Sequence, residues 1–489
     1  MKDAISGISP ALLWEHFYQM SQIPRCSKDE AEIRKYVLHV AERNNLTFKE
    51  DEAENIVVFK PATPGLESAP LVVLQSHLDM VCEKNKETVH DFSKDPIKLI
   101  RDGDWISADG TTLGSDNGIG AAAALAVLES EDVQHGPLEL LFTIDEETGL
   151  TGATNLSDNI LDGRILLNMD SEEDGAIYIG CAGGRDTELY FNTQMVDVPA
   201  GHEVVRARLG GLQGGHSGLQ IIEELGNAIK LIGRFLWQSA EELDLRLMHI
   251  DGGSKHNAIP RECDALISLP SGNLSRLKEM AANFDKTLKD ELRLVDPDVF
   301  LRIDQDGFEN SGKVLSESEQ KTFLNLIYLM PHGVMGMSHA VPGLVESSTN
   351  FAVVKTHPDK ISILTSQRSS VMSALDDIAG KIVAIGQLTN CEVLAHNGYP
   401  GWEPNPDSPV LKTAEGVFQT LFSGKPEIKA IHAGLECGII GAKYPGMDMI
   451  SFGPTILGAH SPDERVQIST VEKFWNFLVA ILEKLGQER

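Results

Sequence analysis

The chain has no apolar run approaching the roughly 18 residues needed to cross a bilayer, and Met1 to Pro10 contain no apolar core of a secretion signal. A membrane span and an export route are therefore not expected, and the location read from the sequence is cytoplasmic. Cations are scarce beside anions: 42 Lys and Arg face 72 Asp and Glu, a formal net charge of -30 at pH 7. Such a surface repels phosphate backbones and anionic lipid, which excludes nucleic acid and membrane as expected partners. Cysteines are few as well. Cys26, Cys82, Cys181, Cys263, Cys391 and Cys437 form no CxxC pair and no regular spacing, which argues against a zinc finger or a disulfide framework and predicts thiols in a reducing compartment. Low-complexity tracts are missing too.

What is present is a globular chain of 489 residues, more than one hydrophobic core usually organises, so two domains are expected. The first third alternates helical patterns (Ala11 to Met20, Ile33 to Asn45) with apolar strand patterns (from Leu71, Leu138 to Ile144, Arg164 to Met169). Gly118 to Leu128 reads as a buried helix beginning just after Asp116. Near the end, Met449 to Phe452 reads as a strand and Thr470 to Leu485 as an amphipathic closing helix.

Between these parts the rhythm changes. Strand Glu203 to Leu209, helix Glu223 to Ala240, strands Leu245 to Ile250 and Asp264 to Leu269, helix Leu274 to Leu292 and strand Val299 to Ile303 give a β-α-β-β-α-β order. It partly recurs from Ser316 to Leu394. The expectation is an α/β domain built from 1–184 and 398–489, with a mostly parallel sheet, and an inserted α+β domain, 185–397, that is ferredoxin-like and duplicated.

Chemistry-bearing residues collect where apolar strands end. His77-Leu78-Asp79 follows one strand, and alternation along extended chain puts His77 and Asp79 on one side. An imidazole backed by a carboxylate is the usual arrangement of a metal-ligating histidine, although an isolated HxD is as often a satisfied core histidine. Gly114-Ser115-Asp116-Asn117-Gly118 places a carboxylate between glycines at a helix start, where it is either a cap or a ligand needing close approach. Asp145-Glu146-Glu147 ends a second strand, either as a chance acidic cluster or as a pair in which one glutamate binds a cation while its neighbour takes a proton. Asn168-Met169-Asp170 ends a third, and His460 in Gly-Ala-His-Ser-Pro-Asp-Glu follows a fourth. His77, Asp116, Glu147, Asp170 and His460 are together a nitrogen-and-oxygen donor set suited to zinc and tolerable for Mn2+ or Co2+.

These five motifs, HLD, GSDNG, DEETG, NMD and GAHSPDE, resemble the metal-site signature of the co-catalytic zinc peptidase family that includes carboxypeptidase G, peptidase T and the carnosine dipeptidases. The resemblance covers nearly the whole chain and implies a catalytic domain with an inserted lid. It implies two Zn2+ per chain, one on His77 and Asp170, the other on Glu147 and His460, with Asp116 bridging, Asp79 orienting His77, and Glu146 as general base. It further implies a cis peptide bond from Asp116 to Asn117. In the lid, His216 matches the histidine that stabilises the reacting carbonyl, and Arg368 the arginine that grips the substrate's terminal carboxylate. Asn257 is a substrate contact or only a turn residue, and Glu436 recognises the substrate amino group or is an ordinary helix-start carboxylate. The activity implied is hydrolysis of dipeptides, Xaa-His among them, by a homodimer joined through the lid. An N-acyl amino acid deacylase or tripeptidase on the same centre stays open, as does a metal-free binding or scaffolding protein on an inactive peptidase fold.

Overall fold

The computed structural model describes residues 2–306, 311–396 and 398–488. It separates into two compact units: Met1–Gly180 with Trp402–Ala430 and Leu435–Arg489, and Cys181–Gly401 with Ile431–Gly434.

The first unit is built on an eight-stranded sheet in the order Thr47–Glu50, Ile56–Lys60, Leu138–Thr143, Val72–His77, Ile165–Asn168, Asp448–Ser451, Ala176–Cys181, Glu427–Ile431. Its centre is parallel: Val72–His77 runs beside Leu138–Thr143 and Ile165–Asn168, and Ile165–Asn168 beside Asp448–Ser451. Antiparallel pairs flank that centre, so the sheet is mixed. Every residue of Val72–His77 and of Leu138–Thr143 is buried, the pattern of strands covered on both faces. The covering helices follow from composition. Ser115–Glu129 is buried almost throughout because its run of alanines lets it lie close against the sheet, and Ile468–Gly486 packs on Pro409–Phe422 with Phe477 against Phe418 at 5.4 Å between ring centroids. The latter helix, Pro409–Phe422, has no counterpart in the sequence reading.

The second unit is a nine-stranded sheet whose registers are all antiparallel. One half has the order Phe300–Asp304, His202–Gly210, Cys263–Pro270, Arg246–Gly252, the ferredoxin-like arrangement with the fourth strand beside the first. The other half has the same arrangement, in the order Val345–Thr356, Lys360–Ser369, Gly183–Asn192, Glu392–Ala395. Its first strand, Gly183–Asn192, precedes the whole of the other half in the chain, which is why the recurrence from Ser316 onward reads as incomplete. One core, with Phe235, Phe284, Phe323 and Phe351 among its members, underlies both halves.

Two expectations change. The helix expected from Glu223 begins instead at Ala228: Asn227 accepts from the N–H groups of Ile229 and Lys230, and Glu224 sits at φ 54, a turn that a helix cannot contain. The thiol expectation fails for one pair, since Cys26 and Cys82 form a disulfide with their Cα atoms 5.7 Å apart. Met80 N–H donates to the Arg25 carbonyl at 3.1 Å, so the two segments run side by side although 56 residues separate the cysteines. The other four cysteines form no disulfide.

Candidate metal centre

The parallel strands place their C-terminal ends in register. His77 pairs with Thr143, Gln75 with Asn168, and Asn168 with Ser451. The residues just beyond those ends therefore emerge on one edge of the first unit, the usual ligand edge of such a sheet. His77, Asp116 and Asp170 each offer a ligand atom, all within 4.8 Å of one another, and so do Asp116, Glu147 and His460. Asp116 belongs to both sets. Its Oδ1 faces His77 Nε2 at 3.2 Å and its Oδ2 faces His460 Nε2 at 3.1 Å, so one carboxylate spans two imidazoles. His77 Nε2 also lies 3.3 Å from Asp170 Oδ1, and His460 Nε2 lies 3.0 Å from Glu147 Oε2. The bond from Asp116 to Asn117 is cis.

Behind this front, Asp79 Oδ1 stands 3.3 Å from His77 Nδ1. The Asp79 carboxylate also accepts from Ser27 Oγ at 2.7 Å and from the N–H groups of Glu146 and Glu147 at 3.1 and 3.2 Å, which ties the first motif to the acidic one. Burial works against its ionisation, yet His77 and these donors hold Asp79 down at about 2. Burial alone would lower the His77 imidazole, but Asp170, Asp116 and Asp79 outweigh it and hold the ring well above the ordinary histidine range. For Glu146, burial, opposed by His77 and reinforced by Asp170, Glu436 and Glu147, holds the carboxyl well above the ordinary glutamate range. A carboxylate so placed is suited to accept and return a proton.

The donor set fits divalent cations. Two imidazoles and three carboxylates make a hard nitrogen-and-oxygen environment, and so many carboxylates taken out of water are costly unless positive charge shares the space. Glu147 Oε1 is buried without a hydrogen-bond partner, an acceptor left open on the side chain whose other oxygen meets His460. The His77 side chain is 1% exposed and that of Glu147 3%, whereas His460 is 57% exposed, so the His460 side is the open one.

Beneath the centre lies a wholly buried polar layer. Glu436 Oε2 accepts from Gln75 Nε2 at 2.6 Å and Thr143 Oγ1 at 2.7 Å; Gln75 Oε1 accepts from Asn168 Nδ2 at 2.5 Å, and Asn168 Oδ1 from Ser451 Oγ. Glu436 has no exposed surface, and burial, against the effect of His77, raises it to about 7. It thus sits among the strand ends rather than on a surface of its helix.

His216, Asn257 and Arg368 lie in the second unit. His216 Nδ1 accepts from the N–H groups of Gly218 and Leu219 at 3.2 and 3.1 Å, which leaves its proton on Nε2 as a donor. Burial, with the Arg368 and His256 charges, lowers this imidazole to about 4 and keeps it neutral. Asn257 and His216 both line a cavity of about 890 Å³. Arg368, 7% exposed, donates from Nη1 to the Tyr399 hydroxyl at 3.2 Å and leaves Nε without a partner. The structure adds Ser27, which supports Asp79, and Asn117, whose Nδ2 donates to Asp170 Oδ1. Ser27 stands in the Ile23-Pro24-Arg25-Cys26-Ser27 stretch and Asn117 in GSDNG, but neither side chain carries a local signal of its partner.

Comparisons with known proteins show which family the chain is similar to. The cytosol non-specific dipeptidase of Escherichia coli (strain K12) is 44% identical over 481 residues, covering 98% of this chain and 99% of its own. The crystal structure of aminoacylhistidine dipeptidase from Vibrio alginolyticus, also 44% identical, superposes with a TM-score of 0.92 over 98% of this chain and 97% of that one. At 17% identity a tripeptidase from Staphylococcus aureus shares the fold, with a TM-score of 0.57 over 98% of this chain and 100% of that one. Residues 73–484 match the profile of peptidase family M20/M25/M40, and with the strand-end histidines and carboxylates in place the chain belongs to that family.

Proposed function

We propose that the chain is a two-zinc dipeptidase. The observation that carries this reading is Asp116, one carboxylate shared by two sets of ligand atoms and flanked by His77 and His460. His77 and Asp170 would hold one Zn2+, Glu147 and His460 the other, and Asp116 both; Mn2+ or Co2+ could substitute. Bound there, the cations supply Lewis acidity toward a peptide carbonyl and toward water. Glu146, outside the two sets that share Asp116, would take the proton of the attacking water and return it to the departing amine. Asp79 fixes the ring of His77 and keeps its ligating nitrogen aimed forward. In the inserted unit, 185–397, the Nε2–H of neutral His216 supports the oxyanion, Arg368 grips the C-terminal carboxylate of the substrate, and Asn257 is a further substrate contact. Glu436 belongs with these candidates through its position under the centre, not through access to substrate.

Two relatives, each 44% identical, differ in name, one being a non-specific dipeptidase and the other an aminoacylhistidine dipeptidase. Xaa-His dipeptides are accordingly the first substrates to assay, beside dipeptides with other C-terminal residues. A cytoplasmic location follows the name of the Escherichia coli relative, and no described helix is long and apolar enough to cross a membrane. Homodimerisation through the inserted unit is part of the same reading.

The test is Glu146→Ala, with metal content measured alongside turnover of a dipeptide, its N-acetyl form and a tripeptide. Retained metal with hydrolysis reduced by about 10²-fold or more is expected. Unchanged turnover removes the base. Wild-type preference for the N-acetyl form or the tripeptide replaces the dipeptidase reading with a deacylase or tripeptidase, and wild-type protein without bound metal leaves only a binding role.

A further inference from the structure

The helix Ser115–Glu129 starts irregularly. Asp116 (φ -81, ψ 115) and Asn117 (φ -97, ψ 32) are not helical, and the residue at the cap position, Gly114, has no side chain to satisfy the first N–H groups. Such groups need acceptors, and an aspartate in this place would ordinarily serve with its own carboxylate. Asp116 does not, because both of its oxygens face histidines.

The acceptor comes from far along the chain. Glu464 Oε2 accepts from the N–H groups of Leu113 and Gly114 at 2.7 and 2.9 Å, and Oε1 accepts from Ser115 N at 2.7 Å, Ser115 Oγ at 2.6 Å and Asp116 N at 3.4 Å. Four successive N–H groups thus converge on one carboxylate that is 2% exposed. Arg25, also 2% exposed, holds the carbonyl side of the same turn: it donates to Gly114 O, and to Leu78 O and Asp79 O at 2.9 and 3.0 Å. Gly114 is needed here, since a Cβ would stand 2.5 Å from Arg25 Nη2 and 2.7 Å from Met80 Sδ, and its φ of 69 disfavours any side chain.

We propose that Glu464 and Arg25 are positioning residues that relieve Asp116 of capping, leaving its carboxylate free to be shared by two cations. The contacts from Asp116 to His77 and His460 cannot fix its backbone in the loaded enzyme, because cations would take over those same atoms. Glu464 and Arg25 bind only backbone and Ser115 at this turn, so their hold survives loading. Glu464 also lies four residues after His460, so one segment supplies a ligand of the second set and the support of the shared one. Arg25 joins the turn after His77 to the turn before Asp116 in the same way. The proposal rests on the two-cation reading above.

The experiment uses full-length protein stripped of metal and titrated with Co2+ against a competing chelator, reading the Co2+ absorption spectrum and, separately, the melting midpoint of the metal-free protein. In Glu464→Gln the amide cannot accept from all the converging donors. Its Co2+ affinity is expected to fall about 10- to 100-fold, beside whatever fall in the metal-free melting midpoint the lost acceptor causes. Wild-type Co2+ affinity in that variant, even with a lowered midpoint, overturns the proposal, since a purely structural residue would behave so. If Glu464→Gln does not fold, Ser115→Ala decides: removing one donor should weaken Co2+ binding about 3- to 10-fold, short of the full outer-sphere effect, and unchanged binding overturns the proposal. Wild-type protein that binds fewer than two Co2+ overturns the two-cation reading itself, a result distinct from failure of Glu464 alone.

Discussion

Asp79 stands outside the two ligand sets that share Asp116, yet it meets His77 Nδ1, Ser27 Oγ and two backbone N–H groups of the acidic motif. Replacing it by asparagine keeps the shape but offers an amide where the imidazole needs an acceptor. Asp79→Asn should lower metal affinity or turnover by about 10- to 100-fold, checked by Zn2+ competition and steady-state kinetics on the same preparation. At this scale the sequence was partly legible. HxD, GSDNG, DEETG, NMD and GAHSPDE each show a residue able to ligate, because side-chain chemistry and strand alternation are local. That one oxygen of Asp116 faces His77 and the other His460 is not local, since 344 residues separate Asp116 from His460.

Among the elements, the helix Ala228–Leu243 owes its start to Asn227, whose side chain accepts from two first-turn N–H groups and donates to Phe351 O at 2.9 Å. Asn227→Ala should cost about 1 to 2 kcal/mol, read as a lower urea midpoint for the second unit. The disulfide Cys26–Cys82 closes a long loop, and loop-closure entropy assigns a bridge over 56 residues about 4 kcal/mol. Reduction in a mild dithiol should therefore lower the melting midpoint of the first unit by several degrees, while a Cys26→Ser, Cys82→Ser protein should not respond to the reductant. Apolar runs such as VVLQSH and LELLFT marked the strands because burial on both faces demands continuous hydrophobicity. The helix boundary at Ala228 was misread because the turn before it depends on Glu224 in left-handed conformation and on Asp296 accepting from Gly226 N–H, a contact 70 residues away.

For the whole molecule, a histidine buried in its neutral form makes stability depend on acid. His432 is 6% exposed, pairs through Nε2 with Ser348 Oγ at 2.7 Å, and is lowered to about 3 by burial and then by Arg368. Its folded pKa lies below the ordinary 6.5, so the unfolded chain takes up the proton first. Its share of stability is present above pH 6.5 and is lost as pH falls toward 3, a change of ~5 kcal/mol at most. Urea unfolding between pH 7 and pH 4.5 should show a steeper loss in wild type than in His432→Gln; equal slopes would remove this assignment. What the sequence determined by itself was the menu: a globular acidic chain, parallel strands ending in residues able to ligate, and an α+β insertion, all of which follow from periodicity, composition and local chemistry. Only the tertiary structure decided the partnerships: Glu464 capping a helix 349 residues upstream of it, Glu436 sunk beneath the strand ends, Cys26 joined to Cys82, and Gly183–Asn192 completing the second half of the insertion. Those pairings arise when sheets close and bury polar groups that must then find a partner wherever the fold brings one, and spacing along the chain carries no record of that distance.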